Sequence, residues 1–395
     1  MDTAELLEIL SPEGLRLLDS IPDYDPHADV VRRVSDLRAA GHSAGRVAAV
    51  LGQSKLRAKA VAKFGEFAAR MLFTEAGLEQ ATRLSVAALH AGRFRAAGVT
   101  SVADLGCGIG ADALAMAAID LAVLAVERDE VTAAIAAYNL APFDSVEVVG
   151  GDATTVDLAG ADAAFLDPAR RTAGHQNTSR LRDPADWSPS LDFAFALGER
   201  MPTGVKLGPG VDRDLIPASA EAQWISVDRE VVEVGLWFGP LARPDIRRAA
   251  LVIGDHGTAE LTAGRDSDDV EVGPLGEYVY EPDGAVIRAR LIGDLARRVG
   301  ATMLSPGIAY LTAATLTPTP FARAFRVVRV LPFDERTLKR ELAALRIGTL
   351  EIKKRGADVD PAQLRRRLAL RGPESATLII TRVAGRHMAL LVERA

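Results

Sequence analysis

The sequence predicts an α/β protein in which a doubly wound parallel sheet follows a helical region and precedes a small α+β domain. Three observations predict this order. Residues 1–98 place apolar residues at helical spacing, without strand-like alternation. Short, nearly continuous apolar runs then alternate with helical segments over residues 99–245. Residues 321–395 differ from the rest in charge and pattern, and we expect residues 246–320 to form a linking α+β segment.

The N-terminal region begins with leucines and isoleucines at helical spacing. Ser11 before Pro12 is typical of a helix start, because serine caps the helix and proline lacks an N–H that the first turn does not need. Residues 30–37 predict another helix, and Gly41 indicates a turn after it. The segment Phe73–Thr82 fits either a cover over a ligand pocket or plain helix packing.

The central region supplies the strands of the predicted sheet. These are residues 101–105, 121–126, 145–149, 161–166, 203–207, 222–227 and 231–238. Because the runs are apolar on both faces, we expect a parallel sheet covered by helices on both sides. Right-handed crossovers then give a doubly wound, Rossmann-like domain whose ligand lies at the carboxyl ends of the strands.

The C-terminal region alternates again. Beyond a strand at residues 248–254, the predicted order is strand, helix, strand, helix, strand, strand, over residues 325–331, 334–346, 348–354, 360–370, 376–382 and 386–393. This order predicts a small α+β domain with its helices on one face of a sheet.

Composition excludes several classes of protein. The 395 residues are 48% hydrophobic and 25% charged, which is typical of a globular protein. No apolar run approaches the roughly eighteen residues of a membrane span, and the N-terminus lacks the basic start of a signal peptide. The single cysteine, Cys107, and the scattered histidines predict neither disulfides nor a metal site. We therefore expect a cytoplasmic protein without membrane or metal partners.

Charge is unevenly distributed along the chain. Residues 321–395 contain 17 Lys and Arg against 8 Asp and Glu, a net charge of +9, so the rest of the chain carries −15 of the total of −6. A basic segment on an acidic body favours a polyanion-binding module. Solvated faces of arginine-rich helices explain the same asymmetry equally well.

The clearest motif is the run from Val102 to Gly110, in which a buried strand enters a glycine-rich turn and a helix follows at once. Glycines let the backbone approach a ligand closely, and a helix N-terminus favours an anionic group. The same spacing, with Glu127 placed to hold a ribose, also satisfies the fingerprint of a dinucleotide-binding protein.

Acidic residues at four successive strand ends distinguish the two interpretations. Asp104 precedes the first glycine, where it would repel a pyrophosphate but attract an ammonium group. Glu127, Asp152 and Asp167 follow the next three strands. A ligand with a ribose, an adenine amino group and an α-ammonium suits this set, which favours S-adenosylmethionine (SAM) over a dinucleotide.

On these motifs, residues 101–238 resemble a class I SAM-dependent methyltransferase. The resemblance implies that the glycine turn passes beneath the methionine moiety, that Asp104 lies near its amino group, that Glu127 binds the ribose and that Asp152 and Ala153 meet the adenine. Cys107 is read as a small residue in a tight turn. The predicted cofactor-binding residues are Asp104, Gly106, Cys107, Gly108, Gly110, Glu127, Arg128, Asp152, Ala153 and Asp167.

The predicted catalytic residue is Asp167, at the start of the run Asp167-Pro168-Ala169-Arg170. A carboxylate there can accept a hydrogen bond from an acceptor amine or hydroxyl, and it also suits a simple Asp-Pro turn. The run is similar to the Asp/Asn-Pro-Pro-aromatic motif of methyltransferases that modify planar amines. Ala169 and Arg170 depart from that motif, which puts a stacked base in doubt. We expect Pro168, Arg170 and Arg171 to contact the substrate, the arginines through phosphates.

The C-terminal run LEIKKRG, residues 350–356, together with the order of domains, is similar to bacterial THUMP-like methyltransferases. That resemblance implies RNA, either tRNA or rRNA, as the acceptor. Lys353, Lys354 and Arg355 are the predicted RNA-binding residues, and with Arg365–Arg367 they would form one phosphate-binding surface if both groups point to one face. A solvated strand edge is the alternative. A small-molecule or protein methyltransferase, or a non-catalytic RNA-binding protein, stays open.

Overall fold

The computed structural model describes residues 1–22, 24–25, 27, 29–170, 187–255 and 257–395, with only the backbone of Ala169 and Arg170. The chain forms two compact units. The first comprises Met1–Lys206, Asp212–Pro217 and Trp237–Ala242, and the second comprises Leu207–Val211, Ala218–Leu236 and Arg243–Ala395.

The N-terminal region of the first unit is helical, as predicted. Its helices are α1 (Thr3–Leu10), α2 (Pro12–Ser20), α3 (Val30–Ala39), α4 (Ala44–Phe64), α5 (Glu75–Gln80) and α6 (Leu84–Ala96), with a 3-10 turn at Gly65–Arg70. Ser11 caps α2 by accepting a hydrogen bond from the N–H of Gly14 at 3.0 Å, and Pro12 occupies the first turn. The cap predicted from these two residues is confirmed.

Among the described residues that follow, there are seven strands with three helices between them. The strands are β1 (Ser101–Leu105), β2 (Ala122–Glu127), β3 (Val146–Gly150), β4 (Ala163–Leu166), β5 (Ala169–Arg170), β6 (Trp187–Ser188) and β7 (Thr203–Leu207). The helices are α7 (Ala111–Ala117), α8 (Glu130–Leu140) and α9 (Leu191–Gly198). β5 and β6 form a separate antiparallel pair.

The main strands of this unit form a parallel sheet in the order β7-β4-β1-β2-β3. All five residues of β7 and all four of β4 are buried, which explains why these runs are apolar without alternation. The Rossmann-like topology is confirmed. Because β1 lies between β2 and β4, the strand order reverses there, and such a reversal opens a crevice at the carboxyl ends of the strands.

The second unit begins with β8 (Glu221–Val227), β9 (Glu230–Phe238), β10 (Arg248–Gly254) and β11 (Gly257–Ala263), in the order β11-β10-β8-β9. β10 is parallel to β8 and antiparallel to β11. Asp228 and Arg229, with φ of 49° and 72°, join β8 to β9. A two-residue connection of this kind makes an antiparallel hairpin. The expectation that residues 222–238 continue a purely parallel sheet is therefore wrong.

A second sheet holds β12 (Tyr278–Pro282), β13 (Thr302–Met303), β14 (Leu311–Ala313), β15 (Ala322–Pro332), β16 (Ile347–Lys354), β17 (Glu374–Val383) and β18 (Arg386–Arg394). Its order is β13-β14-β12-β15-β18-β17-β16. The accompanying helices are α10 (Gly284–Arg288), α11 (Ile292–Val299), α12 (Glu335–Ala344) and α13 (Pro361–Leu368). The predicted C-terminal strands and helices all appear, and β12, β13 and β14 from the middle segment extend their sheet.

The two faces of this second sheet differ. Leu338 and Leu342 of α12, with Leu364 and Leu368 of α13, cover one face and form a core. The opposite face carries a second cluster around Val279, Phe325 and Tyr310. We call this opposite face, which lacks α12 and α13, the open face. Within the described part of the chain, no helix is long and apolar enough to cross a membrane.

Candidate active site

A cleft of about 430 Å³ lies in the first unit, where β1, β2, β3 and β4 end. Turns after these strands and the segment around α5 line it, as does the start of α9. The lining residues are Thr74, Ala76, Gly77, Gln80, Ala81, Thr82, Asp104, Gly106, Cys107, Gly108, Ile109, Ala111, Asp112, Val126, Glu127, Arg128, Thr132, Gly151, Asp152, Ala153, Thr154, Asp167, Ser188, Pro189 and Ser190. All the predicted cofactor-binding residues except Gly110 meet here.

The glycine-rich turn has the backbone that only glycine adopts readily. Gly106, Gly108 and Gly110 have φ of 93°, 56° and 88°. A Cβ on Gly108 would meet no atom within 4 Å, so its backbone faces free space in the cleft. Gly110 instead faces Leu140, whose Cδ1 would lie 2.9 Å from an added Cβ. Gly110 therefore shapes the turn and the start of α7.

Glu127 at the end of β2 is tied to this turn. Its carboxylate accepts a hydrogen bond from the N–H of Gly108 at 3.1 Å and another from the N–H of Asp129 at 2.9 Å. Each carboxylate oxygen has a second lone pair. Glu127 is thus held in a fixed orientation and still has acceptor capacity for ligand hydroxyls.

Asp104 is a fully buried carboxyl group that lines the cleft. It is 1% exposed, and its Oδ2 has no hydrogen-bond partner among the described residues. Burial raises its pKa well above the ordinary value, and the charges of Asp112 and Asp167 add to this while the Lys206 ammonium opposes it. A buried carboxyl with an open oxygen suits a cationic ligand, because an unpaired buried charge is costly.

Asp152 and Cys107 have local partners. The Asp152 carboxylate accepts hydrogen bonds from the backbone N–H and the hydroxyl of Thr154 at 2.8 and 2.7 Å, which fixes the turn after β3. Burial raises the pKa of the Cys107 thiol well above its ordinary value. A neutral buried thiol is unreactive, in keeping with a small residue in a tight turn.

The segment Phe73–Thr82 does cover the cleft, since six of its residues line it. Gln53 of α4 binds both backbone groups of Phe73, at 2.6 and 3.0 Å. Lys63 donates to the carbonyls of Leu78, Glu79 and Ala81 at 2.7–2.8 Å, which satisfies the end of α5. Gly77 touches the glycine-rich turn, because an added Cβ would lie 2.6 Å from Ile109 Cγ2.

A buried lysine that the sequence analysis missed contacts the predicted catalytic residue. Lys206 of β7 is 7% exposed, and its ammonium lies 2.6 Å from Oδ2 of Asp167. The same ammonium donates to Oγ1 of Thr82 at 3.0 Å. The available signal was a lysine inside the apolar run TGVKL, because a fully buried lysine needs a partner.

The substrate-binding predictions after β4 are only partly placed. Pro168, the residue that follows Asp167 in the chain, is buried. The Arg170 side chain and the whole of Arg171 lie outside the described residues. Their contacts with a substrate stay a prediction.

The basic run of β16 is split between two faces. Lys353 and Arg355 point to the open face, where the Lys353 ammonium lies 5.7 Å from the Phe325 ring and the Arg355 guanidinium 5.4 Å from the Tyr310 ring. Because successive side chains of a strand point to opposite faces, Lys354 points to the side that α13 covers. Arg365–Arg367 belong to α13. The expectation of one continuous surface from both groups is wrong, because strand side chains alternate.

Comparison with known proteins identifies the family. Residues 322–394 match a family model described as THUMP domain-like, and residues 2–60 match a domain of unknown function. Two Mycobacterium tuberculosis sequences, from different strains, are described as uncharacterized S-adenosylmethionine-dependent methyltransferases. Each is 35% identical over 345 residues, covering 83% of this chain and 90% of its own. The chain belongs to the SAM-dependent methyltransferases.

A solved structure supports the fold of this methyltransferase. A crystal structure assigned as a methyltransferase of Porphyromonas gingivalis W83 matches it with a TM-score of 0.76 and 22% identity. The match covers 100% of this chain and 99% of that one. The predictions of the family, of an enzyme and of SAM as the cofactor are confirmed.

The cleft of the methyltransferase fits SAM on its own geometry. The open Oδ2 of Asp104 is a buried partner for an α-ammonium. The free space above Gly108 admits a ligand against the backbone. Glu127 retains acceptor capacity for a ribose, as described above. When bound, SAM supplies an electrophilic methyl group on a sulfonium, and the protein has to hold the acceptor in line with it.

Proposed function

We propose that this methyltransferase transfers the methyl group of SAM to RNA, either tRNA or rRNA, with Asp167 as the catalytic residue at the acceptor. The observation that carries the choice of RNA is a group of arginines on the open face of the second sheet. One of them, Arg323, has no hydrogen-bond or salt-bridge partner among the described residues. The cofactor half of the proposal rests on the cleft, and the acceptor half rests on the arginines.

In the cleft, each carboxylate takes a separate part of the ligand. Asp104 pairs with the α-ammonium, and Glu127 binds the ribose hydroxyls. Asp152 and Ala153 meet the adenine, and the turn at Gly106–Gly108 supports the methionine moiety. Arg128 is exposed at the rim. The lining of the cleft supports these proposed roles, because it includes all the predicted cofactor-binding residues except Gly110.

Asp167 is suited to orient an acceptor. It follows β4 directly and lines the cleft, and the Lys206 ammonium binds Oδ2 of its carboxylate at 2.6 Å. A carboxylate accepts hydrogen bonds, so it fixes an N–H or O–H of the acceptor and thereby aims the lone pair of that nitrogen or oxygen at the methyl group. The acceptor's surplus proton leaves after transfer through this hydrogen bond.

The arginines of the open face belong to three strands or turns that meet on one side of the sheet. Arg323 of β15 pairs in register with Glu281 of β12. Arg394 of β18 pairs with Phe325, two residues along β15 on the same side. Arg229, in the turn after β8, donates to the backbone carbonyl of Glu281 at 3.2 Å. We call Arg229, Arg323 and Arg394 the arginine cluster.

The two carboxylates beside the arginine cluster, Glu281 and Glu351, also contact Lys353. The Glu281 carboxylate binds the Lys353 ammonium at 3.0 Å, and Glu351 also contacts Lys353, at 3.5 Å. Partial burial and the charges of Arg229 and Arg394 lower the pKa of Arg323. Among the described residues, the arginine cluster together with Lys353 and Arg355 therefore places five cations beside Glu281 and Glu351. A bound polyanion stabilises like charges that are held this close. The phosphodiester groups of a nucleic acid can accept bidentate hydrogen bonds from guanidinium groups.

RNA is the polyanion that best joins these observations. The enzyme belongs to the methyltransferases, and residues 322–394 match a THUMP domain-like model. The family resemblance noted above attaches RNA recognition to such modules.

The proposal is tested by transferring labelled methyl groups from SAM into an extract of cells that lack this gene. The product is digested separately with ribonuclease and with protease. We expect ribonuclease to release the label, after which nucleoside analysis identifies the modified base or ribose. Protease-sensitive or low-molecular-weight label would contradict the RNA acceptor. Label that is absent despite SAM binding would contradict catalysis by the isolated chain.

A further inference from the structure

A chain of hydrogen bonds extends from Asp167 into the interior of the first unit. Lys206 binds both Asp167 Oδ2 and Thr82 Oγ1, at 2.6 and 3.0 Å. Thr82 donates to Asp112 Oδ2 at 2.6 Å, and His90 Nδ1 lies 2.8 Å from Asp112 Oδ1. Thr82, His90, Asp112 and Lys206 are all buried, each being no more than 8% exposed.

This chain has one consistent direction. An ammonium only donates, so the Thr82 hydroxyl accepts from Lys206 and uses its own hydrogen for Asp112. Burial opposes the ionisation of Asp112, but the hydrogen bond and charge of His90 and the Lys206 ammonium outweigh it and lower the Asp112 pKa. An ionised Asp112 accepts at both oxygens, so His90 Nδ1 carries the hydrogen. Each bond in the chain therefore favours a charged Lys206.

The charge of Lys206 is needed in the cleft. Asp104, Asp112, Glu127 and Asp167 are grouped there, and Lys206 opposes the effect of its acidic neighbours on Asp104. Burying an unpaired carboxylate is costly, whereas a paired one is tolerated. Removing the ammonium would leave Asp104, Asp112 and Asp167 to repel one another, with Asp104 and Asp112 in buried positions.

We propose that Lys206 is a positioning residue for methyl transfer: its ammonium, held by Thr82 and Asp112, fixes the Asp167 carboxylate toward the acceptor and balances the charge that Asp104 offers to the cofactor. The proposal rests on the role given above to Asp167. It assigns no covalent step to Lys206. The lysine acts through two carboxylates, so its effect has to appear in properties of both of them.

The first test needs no acceptor. SAM binding to Lys206→Met is measured by titration calorimetry between about pH 6 and pH 9. Without the ammonium the Asp104 carboxyl holds its proton to higher pH, so we expect affinity to fall about tenfold at the acidic end and about threefold or less at the alkaline end. Lys206→Arg keeps the charge and should retain the wild-type profile. A uniform loss at every pH would overturn the proposal.

The second test uses epistasis in the transfer assay. Total label incorporated into the extract is counted before any digestion, with saturating SAM. We expect Lys206→Met to lower kcat at least about tenfold, and to cause no further loss when Asp167 is already Asn. Independent, additive losses would contradict positioning through Asp167. Total label does not depend on which molecule is methylated, so label that resists ribonuclease would contradict only the RNA acceptor. If no label is transferred at all, the calorimetric test alone decides the role of Lys206.

Thr82 provides a milder variant in case Lys206→Met does not fold. Thr82→Val removes the hydroxyl that holds the ammonium but keeps the shape of the side chain. We expect the same direction of change in the pH profile as for Lys206→Met, with a smaller magnitude. Thr82→Ser keeps the hydroxyl and is the matched control, expected to behave as wild type. Equal behaviour of the Val and Ser variants would overturn the role of the hydrogen-bond chain.

Discussion

The side-chain amide of Asn139 in α8 binds both backbone groups of Leu72, accepting from its N–H at 2.8 Å and donating to its carbonyl at 3.1 Å. The same amide donates to the carbonyl of Ile109 at 2.9 Å. One buried side chain therefore ties the start of the segment that covers the cleft to the glycine-rich turn. Asn139 thus links the turn and the cover of the cleft, although it does not itself line the cleft.

Asn139→Ala should weaken both folding and cofactor binding. It leaves three buried backbone groups without partners, and we expect a loss of about 2–4 kcal/mol in the free energy of unfolding. SAM affinity should fall as well, because the cover and the turn lose their common support. Urea denaturation and calorimetry measure the two effects. Glu130→Ala, at an exposed position of the same helix, is the control. A destabilised variant with wild-type SAM affinity would argue against a shared support.

SAM binding should release a proton through Asp104. In the free protein burial raises the Asp104 pKa, so the carboxyl group is protonated over a wider pH range than in the unfolded chain. An ammonium bound to it favours the carboxylate, so affinity rises with pH until the free protein has itself lost the proton. Calorimetry in buffers of different ionisation enthalpy counts the protons released. Asp104→Asn should bind more weakly and without this pH dependence. Unchanged pH dependence in that variant would assign the proton to another group.

The same carboxyl predicts the direction of a change in stability. Between the ordinary pKa of an aspartate and the raised one of Asp104, the folded protein binds more protons than the unfolded chain. Stability contributed by this group is therefore lost as pH rises through that window. Thermal unfolding without SAM should show a higher Tm for Asp104→Asn than for the wild type at alkaline pH. At a pH low enough to protonate Asp104 in both the folded and the unfolded protein, the Tm values of the variant and the wild type should converge.

Asp167→Ala should abolish methyl transfer while leaving SAM affinity largely intact. On the proposed role of Asp167, its side chain faces the acceptor, and its loss would remove the hydrogen bond that orients the nucleophile. We expect kcat to fall at least about a hundredfold, within the range attributed to positioned acid–base groups. Labelled-methyl transfer and calorimetry separate the two properties. Retention of both transfer and binding would show that Asp167 is not catalytic.

Charge reversal in the arginine cluster should weaken RNA binding and reduce its dependence on salt. The slope of log K against log salt is negative, and each phosphate contact that is lost makes it less steep by about 0.9 for a duplex or about 0.7 for a single strand. Filter binding of Arg323→Glu and Arg394→Glu to total tRNA, at several salt concentrations, measures this slope. Arg365→Glu on α13, an exposed residue of the covered side, is the matched control. Equal losses in all three variants would indicate non-specific attraction to the basic domain.

Much of the central domain could be predicted because burial on both faces leaves a strong pattern. The run at residues 101–105 coincides with β1, and 203–207 coincides with β7. The turn at Asp228 and Arg229 was harder, because neither residue is glycine although both have positive φ. The polar sequence there gave no sign of a hairpin, so the reversal of direction between β8 and β9 was missed.

The same contrast holds for the candidate site, where the spacing of the sequence predicts some residues and only the packing of the folded chain brings in the others. Strand-end carboxylates follow from topology, since parallel strands end at one edge. Lys206, Thr82, Asp112 and His90 come from separate elements, and only tertiary packing brings them into one chain. The split of Lys353 and Lys354 did follow from the sequence, because neighbouring residues of a strand face opposite sides. The sequence analysis grouped the two lysines because they are neighbours in the chain, and it did not apply this alternation of faces.

The contact between Gly77 and Ile109 sets how closely the cover lies against the glycine-rich turn. A single added carbon at position 77 would lie 2.6 Å from Ile109 Cγ2 and 2.8 Å from Thr74 Oγ1. The cover thus rests on the glycine-rich turn with no slack on that side. Every residue other than glycine would bring that carbon, so a substitution at position 77 would have to shift the cover or the turn.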